Sequence, residues 1–339
     1  MGANMKSPLE KLNFKKKYIW LVTGAAGFIG SNLVNFLLKK NQKVIGIDNF
    51  INSKKKNLKI IKTNNLKKIN NFIFIKKDLL KLNFNHRIFN KLDYVVHLAA
   101  LGSVPRSFEN TLDSSRNNLD IYIHLLNFLK KRKIKKLIIT SSSSIYGDSK
   151  LKKKSETLKY NALSPYAVSK VAVELYSQIF SKNFNIPMIV FRIFNVFGPF
   201  QRTDSVYSAV IPKWIKKFLQ NKKIEIFGNK NISRDFTYVD NILFAIYLAT
   251  ISKKKFELLN IACGRSISLA KVIEQININF NEHYSYKNPV ISILKKRDGD
   301  IKKSLADISK AKKILKYYPI VGFEEGIRRT FKWIVDHKW

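Results

Sequence analysis

The sequence predicts an α/β protein in which a doubly wound parallel sheet carries a smaller, mixed α/β region at the C-terminal end. Three observations support this fold class. Short apolar segments rich in Ile and Val alternate with segments of helical periodicity through the first half of the 339 residues. A glycine-rich turn, Gly24-x-x-Gly27-x-x-Gly30, joins the first apolar segment to the first helical segment. After about residue 195 the alternation gives way to a mixed pattern.

The elements of the first half follow from this alternation. The strand candidates are apolar on both faces, as parallel strands covered by helices should be, and they lie at 18–23, 43–48, 72–76, 94–99, 136–141 and 188–193. Helices are predicted between them at 30–40, 111–131 and 165–183. Repeated strand–helix units of this kind indicate a Rossmann-type sheet with helices on both faces.

The second half predicts a helix at 211–220, a strand at 223–227 and a helix at 239–251. We therefore expect a nucleotide-binding domain over residues 1–194 and a substrate-holding region over residues 195–339. A segment near 236–262 is expected to pack back onto the first domain.

Cysteine content and hydropathy limit the cellular compartments that suit this sequence. Cys263 is the only cysteine, which excludes an intrachain disulfide and favours a reducing, cytoplasmic location. It has no nearby His or second Cys in the sequence, so it is interpreted as buried and inert, and no metal site is expected. No apolar run approaches the roughly 20 residues of a membrane-spanning helix. The basic segment before residue 18 precedes only five apolar residues, which disfavours a signal peptide.

The formal net charge is +40, which taken alone suggests nucleic acid or another anionic surface as a partner. The lysines are spread along the whole chain, however, and no helix-turn-helix, zinc finger or aromatic–basic pattern accompanies them. Lys, Asn and Ile are all over-used, so coding bias is the favoured interpretation over nucleic-acid binding. A positive field would still attract an anionic nucleotide.

The glycine turn is the expected phosphate site. Its glycines permit a tight turn and a close approach of backbone to a pyrophosphate, and the following helix offers N–H donors and a positive dipole. Asp48 ends the second predicted strand 18 residues after Gly30, where a carboxylate can bind ribose hydroxyls and repel a 2′-phosphate. This favours NAD over NADP. Asp78, with Leu79, ends the third strand and is either an adenine contact or a simple turn residue.

A hydroxyl and an acid/base pair form the candidate catalytic set. Ser142 follows a predicted strand, and Tyr166 and Lys170 lie one helical turn apart, so they share a helix face. An ammonium beside a phenol favours the phenolate and lowers a pKa that is ordinarily about 10. The positions after Ser142 are Ser143 and Ser144, so no carboxylate stands in the serine run.

Together these motifs resemble the extended short-chain dehydrogenases/reductases, the NAD-dependent epimerase/dehydratase family. The segments that carry the resemblance are the glycine turn, His97-Leu98-Ala99-Ala100, Ser142 with Tyr146-Gly147, and Tyr166-x-x-x-Lys170. Further segments resemble the bacterial UDP-N-acetylglucosamine 4-epimerases within it, namely 99–107, 163–168, Phe194-Asn195-Val196-Phe197-Gly198 and Ser233-Arg234-Asp235-Phe236.

The resemblance implies tightly bound NAD and a UDP-sugar substrate. Tyr166 would take the proton of the sugar 4-hydroxyl, Lys170 would lower the Tyr166 pKa and bind the nicotinamide ribose, and Ser142 would bond the 4-oxygen. The 4-keto sugar would then turn over and be reduced on its other face. The implied cofactor contacts are Gly24, Gly27, Phe28, Ile29, Gly30, Asp48, Asn49, Asp78, Leu79, Ala99, Asn118, Tyr166 and Lys170.

The same resemblance implies the substrate contacts. Asn195 would meet the diphosphate, Arg234 and Arg297 would pair with its phosphates, and Asp300 would hold a uridine ribose hydroxyl. The remaining implied contacts are Gly102, Ser103, Ser142, Ser143, Ser144, Tyr166, Ala209 and Ser304. Relatives that eliminate or decarboxylate resemble one another in acidic residues after the catalytic hydroxyl, so Ser143 and Ser144 favour epimerisation.

The substrate's substituents remain open at this stage. Strict glucose epimerases resemble one another in a bulky Tyr where this chain has Ser304, so the small side chain favours an N-acetyl group at C2. UDP-N-acetylglucosaminuronate, UDP-glucose and UDP-glucuronate are the alternatives, and a non-enzymatic binding protein of the same fold is another. Two residues depart from the family pattern, Ile121 and Lys230, each of which replaces a usual glycine.

A homodimer is also expected by resemblance, through a four-helix bundle built from the helices at 111–131 and 165–183. An apolar stripe on the second helix suits such an interface or packing on the sheet, and it comprises Val168, Val171, Ala172, Leu175 and Ile179.

Overall fold

A single parallel sheet of seven strands organises the protein. The computed structural model describes residues 8–149, 151–205, 208–282, 284, 290–295 and 303–339. Its strands are β1 Ile19–Thr23, β2 Lys43–Asp48, β3 Phe72–Lys76, β4 Tyr94–His97, β5 Lys136–Ser142, β6 Met188–Ile193 and β11 Phe256–Ile261. The strand order is β3-β2-β1-β4-β5-β6-β11, and every neighbouring pair is parallel.

The strand order reverses between β1 and β4, and in doubly wound sheets ligands bind at the carboxyl ends of the strands at such a switch point. The predicted Rossmann-type fold class is therefore confirmed. β11 adds a seventh strand beside β6, within the segment expected to pack back onto the first domain. The division at residue 194 stays a prediction.

Helices cover both faces of the sheet because both faces are apolar. One core joins the sheet to α1 (Phe28–Lys39) and α8 (Val239–Ile251), and the opposite core joins it to α5 (Ile121–Leu129) and α6 (Pro165–Phe184). The remaining helices of this half are α2 Lys55–Asn64, α3 Val104–Glu109 and α4 Thr111–Ser115.

The mixed region has its own apolar core, which differs from the two cores on the sheet. Its helices are α7 Val210–Leu219, α9 Leu269–Asn281 and α11 Phe323–Asp336, whereas α10 Ser309–Leu315 packs on the core that the sheet shares with α8. Its short strands are β7 Val196–Phe197, β8 Ile224–Phe227, β9 Ser233–Arg234, β10 Thr237–Tyr238, β12 Ile267–Ser268, β13 Ile291–Leu294 and β14 Lys303–Ser304. β9 lies between β12 and β14, which brings distant parts of the chain to one edge.

The predicted helix at 111–131 is wrong in one respect. α4 and α5 are separated by a π-helical turn, Arg116–Asp120, so the helix is interrupted for five residues. A π turn inserts an extra residue without changing the apolar periodicity enough to be read from sequence, and such turns occur frequently at functional sites.

Within the described ranges, no helix is long and apolar enough to cross a membrane. The same residues contain no group of three His, Cys, Asp or Glu side chains placed to hold a metal ion. The cytoplasmic location stays a prediction.

Candidate active site

The glycine turn between β1 and α1 exposes backbone where side chains would block access. Gly24 has φ +67°, and a Cβ there would lie 2.8 Å from the Ala99 nitrogen of the neighbouring strand end. A Cβ on Gly30 would overlap the carbonyl oxygen of Gly24. Gly27 caps α1 and offers no side-chain hydrogen bond. Because α1 is not capped by a side chain, its first N–H groups are available to an anion.

A narrow cavity of about 70 Å³ continues from this turn along the ends of β2 and β3. Its lining includes five of the predicted cofactor contacts beyond the glycines, namely Asp48, Asn49, Asp78, Leu79 and Ala99. The Asp48 carboxylate accepts hydrogen bonds from the backbone N–H groups of Ala26 (3.0 Å) and Phe50 (2.8 Å) and from the Ser53 hydroxyl (2.7 Å). Asp48 thus holds the glycine turn and the next loop in place beside the cavity.

Asp78 combines both of its predicted interpretations. Its carboxylate caps the short 3₁₀ turn after β3 by accepting the Leu80 N–H at 2.9 Å, and it also lines the narrow cavity. Phe28 and Ile29, predicted as cofactor contacts, line the larger cavity described below.

Asn118 lies in the π turn, buried away from the cavity. Its side-chain oxygen accepts the Leu101 N–H at 2.7 Å, and its amide donates to the Ser169 hydroxyl at 3.2 Å. The neighbouring Asn117 and Ile121 line the cavity instead. Ile121, which replaces the expected glycine, therefore adds an apolar wall to this cavity. Lys230, the other departure, has no positive φ, so its backbone does not need glycine.

Tyr166 and Lys170 project from the first turns of α6, whose start is well defined. Ser164 caps the helix by accepting the Ala167 N–H at 3.1 Å, and Pro165 occupies the first helical position. The Lys170 ammonium lies 5.8 Å from the Tyr166 ring centre and donates to the Thr140 carbonyl at 3.1 Å.

Ser142 completes the catalytic set from the end of β5. Its hydroxyl accepts the Ser144 N–H at 3.2 Å, and it lies close enough to the Tyr166 phenol to affect the pKa of that group. The structure therefore brings together all three side chains that the sequence nominated. Ser142 and Tyr166 line the larger cavity described below, and Lys170 lies buried beside Tyr166.

The electrostatics of the pair follow from burial. Desolvation lowers the pKa of Lys170 to about 8, and the Glu174 carboxylate opposes this shift. Burial raises the pKa of Tyr166, while the neighbouring Ser142 hydroxyl opposes the shift. Burial, together with the nearby charge of Lys170, lowers the pKa of His97 to about 3. His97 is therefore neutral at physiological pH, and its Nδ1 bonds the Thr23 hydroxyl at 2.8 Å.

A larger cavity of about 500 Å³ opens beside this catalytic set, toward the mixed region. It collects most of the predicted substrate contacts, namely Gly102, Ser142, Ser143, Ser144, Tyr166, Asn195, Ala209, Arg234 and Ser304. Ser103 differs, because its side chain caps α3 by accepting the Arg106 N–H at 3.3 Å. Arg297 and Asp300 lie outside the described residues.

Sequence reasoning missed several residues that line this cavity. They include Asn52, Ser53, Asn57, Arg106, Phe200, Gln201 and Arg202. Arg106 lies three residues after Ser103 on α3, so helical spacing from the quoted motif could have found it. Arg202 carries no such signal, because its position depends on the irregular loop after β7.

Asp235 fixes the wall that carries Arg234 and Ser304. Arg234 and Ser304 are paired across β9 and β14. The buried Asp235 carboxylate accepts backbone N–H groups from Cys263 (2.9 Å), Gly264 (2.9 Å) and Ala306 (3.3 Å). Burial raises the pKa of Asp235 to about 7, and these backbone donors oppose the shift. One carboxyl group thus ties three segments together next to the cavity.

Comparison with known proteins agrees with this geometry. Residues 20–262 match the family model described as the NAD dependent epimerase/dehydratase family. A UDP-glucuronate 4-epimerase of Thermodesulfobacterium geofontis is 35% identical over 318 residues, which cover 93% of this chain and 95% of that protein.

Two solved structures are similar across nearly the whole chain. The UDP-N-acetylglucosamine 4-epimerase of Methanobrevibacter ruminantium, in complex with UDP-N-acetylmuramic acid, has 37% identity and a TM-score of 0.87, covering 95% of this chain and 99% of its own. The UDP-glucuronic acid 4-epimerase of Bacillus cereus, in complex with UDP-glucuronic acid and NAD, has 34% identity and a TM-score of 0.84, covering 94% and 99%.

A dinucleotide-binding sheet with a Ser–Tyr–Lys set at its carboxyl edge defines the class of nicotinamide-dependent short-chain enzymes. This chain belongs to the NAD-dependent epimerase/dehydratase family. The expected enzymatic nature and the expected cofactor, NAD, are confirmed. The residues present fit this cofactor, because α1 begins after the glycine turn without a side-chain cap and Asp48 borders the adjoining cavity.

Proposed function

We propose that the protein is a UDP-sugar 4-epimerase that interconverts UDP-N-acetylglucosamine and UDP-N-acetylgalactosamine. The observation that carries the reaction type is that Ser142 and Tyr166, with Lys170 buried beside Tyr166, face a cavity whose described lining contains no carboxylate. Elimination at C5 and C6 requires a further acid and base, and the described lining of this cavity contains no carboxylate that could serve as either. Oxidation and reduction at C4 require only the three residues.

The chain's own residues handle the proton. Tyr166, as phenolate, accepts the proton of the 4-hydroxyl and later returns it to the ketone oxygen. Lys170 carries the positive charge that stabilises the phenolate, and Ser142 bonds the reacting oxygen. Bound NAD, held by the glycine turn and Asp48, supplies the acceptor and donor of the C4 hydride.

The substituent at C2 is argued from the size of the side chains that face the cavity. Gly102, Ala209 and Ser304 are all small, and Ser304 retains only 6% exposure in the cavity wall. A cavity of about 500 Å³ lies within the range of small-molecule sites. These features support room for an N-acetyl group while the sugar ring turns over.

A second candidate is a UDP-sugar with a carboxylate at C6. The described lining contains three arginines, Arg106, Arg202 and Arg234, and no acidic residue. This positive lining suits an anionic substrate, since guanidinium groups bind both phosphate and carboxylate, although Arg202 already pairs with Asp204 at 3.2 Å. UDP-glucose is the remaining alternative.

A time course by NMR with four UDP-sugars tests the proposal. The substrates are UDP-N-acetylglucosamine, UDP-glucose, UDP-glucuronate and UDP-N-acetylglucosaminuronate. We expect the first to give UDP-N-acetylgalactosamine without added NAD. Conversion of a uronate alone, by folded protein that retains NAD, would replace the proposal with the second candidate.

The expected homodimer also belongs to this proposal. The stripe on α6 does not pack on the sheet at its outer positions, since Val168 is 57%, Leu175 45% and Ile179 54% exposed. Phe108 (55%) and Leu112 (86%), on α3 and α4, are exposed as well, and α3 and α4 contact α6. Exposed apolar side chains on adjoining helices support association through these helices.

A further inference from the structure

A buried ion pair lies one helical turn beyond the catalytic lysine. Glu174 follows Lys170 by four residues on α6, and its side chain is fully buried. Arg192, on β6, forms a fork with it: Nε donates to Oε1 at 3.0 Å and Nη2 donates to Oε2 at 2.7 Å. A two-point fork fixes orientation as well as distance. It therefore fixes the rotation of α6 about its axis relative to β6.

The ion pair is hydrogen-bonded to the 3₁₀ turn Ser143–Tyr146, called the serine turn below. Arg192 Nη1 donates to the Tyr146 hydroxyl at 2.9 Å, and that hydroxyl donates to Asn260 Oδ1 on β11 at 2.7 Å. Burial raises the pKa of Tyr146 to about 12, so the hydroxyl keeps the proton that it donates. Tyr146 ends the 3₁₀ turn that starts at Ser143, directly after Ser142.

The strand register places the pair next to Ser142. Arg192 is the register partner of Ser141, and Ile193 is the partner of Ser142. One end of the fork therefore stands on the helix that carries Tyr166 and Lys170, and the other stands beside the strand that carries Ser142. The Asn260 amide also donates to the Asp307 carbonyl at 3.0 Å, three residues after Ser304.

We propose that Glu174, Arg192 and Tyr146 are positioning residues that hold the Tyr166–Lys170 helix, the serine turn and the Ser304 segment in their reactive arrangement. This inference rests on the proposed function. The three residues do not line either cavity, so they act through the catalytic set.

Stability alone does not require this pair. Burying two charges costs several kcal/mol of hydration per ion, and replacing a buried pair with apolar residues of similar volume is often neutral or stabilising. A network that spans α6, β6, the serine turn and β11 instead restricts relative movement of the groups that must meet the substrate. A displacement of about 1 Å in such groups can reduce turnover about 100-fold.

The pair also acts on the charge of Lys170. The groups that face Lys170 are Glu174 and Tyr166 on its own helix and His97 on β4. Glu174 itself meets Arg192, Tyr160 and, through Arg192, Tyr146. The Glu174 carboxylate raises the Lys170 pKa against burial. Removal of this carboxylate therefore lowers the Lys170 pKa. Lys170 then loses its proton, and with it the ability to stabilise the Tyr166 phenolate, at a lower pH than in the parent protein.

The test uses three variants of the NAD-loaded enzyme. Glu174→Gln removes the charge, Tyr146→Phe breaks the link to the serine turn, and the double variant Glu174→Leu/Arg192→Met replaces the pair with apolar side chains. Tyr122→Phe is the matched control for Tyr146, because its buried hydroxyl bonds Ser177 on α6 without a link to the serine turn.

Each variant has a distinct expected result. Tyr146→Phe lowers kcat about tenfold or more with little change in KM or in the pH profile, because it disturbs placement alone. Glu174→Gln lowers kcat and moves the alkaline limb of the pH profile down by about one unit. It also moves the phenolate titration of Tyr166, read as near-ultraviolet absorbance against a Tyr166→Phe background, to higher pH.

The double variant separates positioning from mere stability. We expect it to unfold at least as late as the parent protein while losing turnover. Full turnover in the stable double variant, or in Tyr146→Phe, would overturn the proposal. An unshifted Tyr166 titration in Glu174→Gln would also overturn the charge effect. The titration does not depend on the sugar, so it stands if the proposed substrate is wrong.

Discussion

At the scale of single residues, Lys170 illustrates how function opposes stability. Its folded-state pKa of about 8 lies below the ordinary value of 10.5, so a protonated Lys170 lowers the free energy of unfolding. Below pH 8 the penalty is complete, and it disappears as the pH rises through 10.5, where the unfolded chain also loses the proton. The buried ammonium is thus an unfavourable feature for stability, and the catalytic role proposed for Lys170 would explain why it is present.

Lys170→Met should therefore stabilise the protein from which NAD has been removed. The pKa difference corresponds to about 3 kcal/mol, and the lost hydrogen bond to Thr140 offsets about 1 kcal/mol of it. We expect a gain of about 2 kcal/mol below pH 8 that shrinks toward pH 10.5, with turnover abolished. Urea unfolding at several pH values measures it, and a loss of stability at pH 7 would contradict it.

Ser304→Tyr tests the basis of substrate choice. A tyrosine on β14 would enter the cavity beside Arg234, its register partner, and fill the space assigned to the N-acetyl group. We expect kcat/KM for UDP-N-acetylglucosamine to fall about 100-fold relative to UDP-glucose. Ser304→Ala is the control and should keep the parent ratio. An unchanged ratio in Ser304→Tyr would remove Ser304 from the determinants of specificity.

The candidate catalytic residues were easier to predict from the sequence than the contacts around them. Ser142, Tyr166 and Lys170 are recognisable because their spacing is local, and the structure brings them together. Ser103 was predicted to meet substrate, yet its hydroxyl caps α3, since a serine before a helix serves its own backbone first. Glu174 and Arg192 gave no signal, because the sequence separation of 18 residues conceals a contact between a helix and a strand.

At the scale of elements, the β1–α1 junction is the part whose backbone decides function. The glycine turn was predictable because its motif specifies a conformation, and φ +67° at Gly24 agrees with it. The π turn between α4 and α5 was not predictable, because it leaves the apolar pattern intact. It places Asn118 against Leu101 and Ser169 instead of the cavity, and it turns Asn117 toward that cavity.

Gly30→Ala should empty the cofactor site while the sheet still forms. The added methyl group would overlap the Gly24 carbonyl, so α1 must shift away from the turn that holds the pyrophosphate. We expect NAD released by denaturation to fall to a small fraction of the parent amount. Gly322→Ala, whose Cβ would come no closer than 3.9 Å to another group, is the control and should retain NAD. Normal NAD content in Gly30→Ala would contradict this role of the turn.

At the scale of the whole molecule, the parallel sheet and the mixed region differ in how far the sequence predicts them. The first half could be predicted strand by strand, since parallel strands leave long apolar runs. The mixed region could not, because several of its strands are two residues long and pair across large sequence separations, such as β9 with β14. The lysines behind the net charge of +40 are spread along the whole sequence instead of forming one basic segment.

Exposed apolar side chains on α4 and α6 predict that the protein forms a dimer. Val168, Leu175 and Ile179 project from the outer side of α6, and Leu112 projects from the adjoining α4. A monomer would leave these side chains in water, at a cost of about 25 cal/mol for each Å² of apolar surface that a dimer could bury. Because α6 also carries Tyr166 and Lys170, pairing through it would brace the catalytic helix from outside. We therefore expect a dimer in light scattering.

Ile179→Glu together with Leu112→Glu should give a monomer. Two carboxylates on each subunit would meet their copies across a symmetric contact, where unpaired buried charge is strongly unfavourable. Ile251→Glu, at an equally exposed position (58%) on α8, is the control and should leave the mass unchanged. A parent protein of monomer mass, or a double variant that remains dimeric, would contradict association through α6. A folded monomer with reduced turnover would show that the dimer braces the catalytic helix.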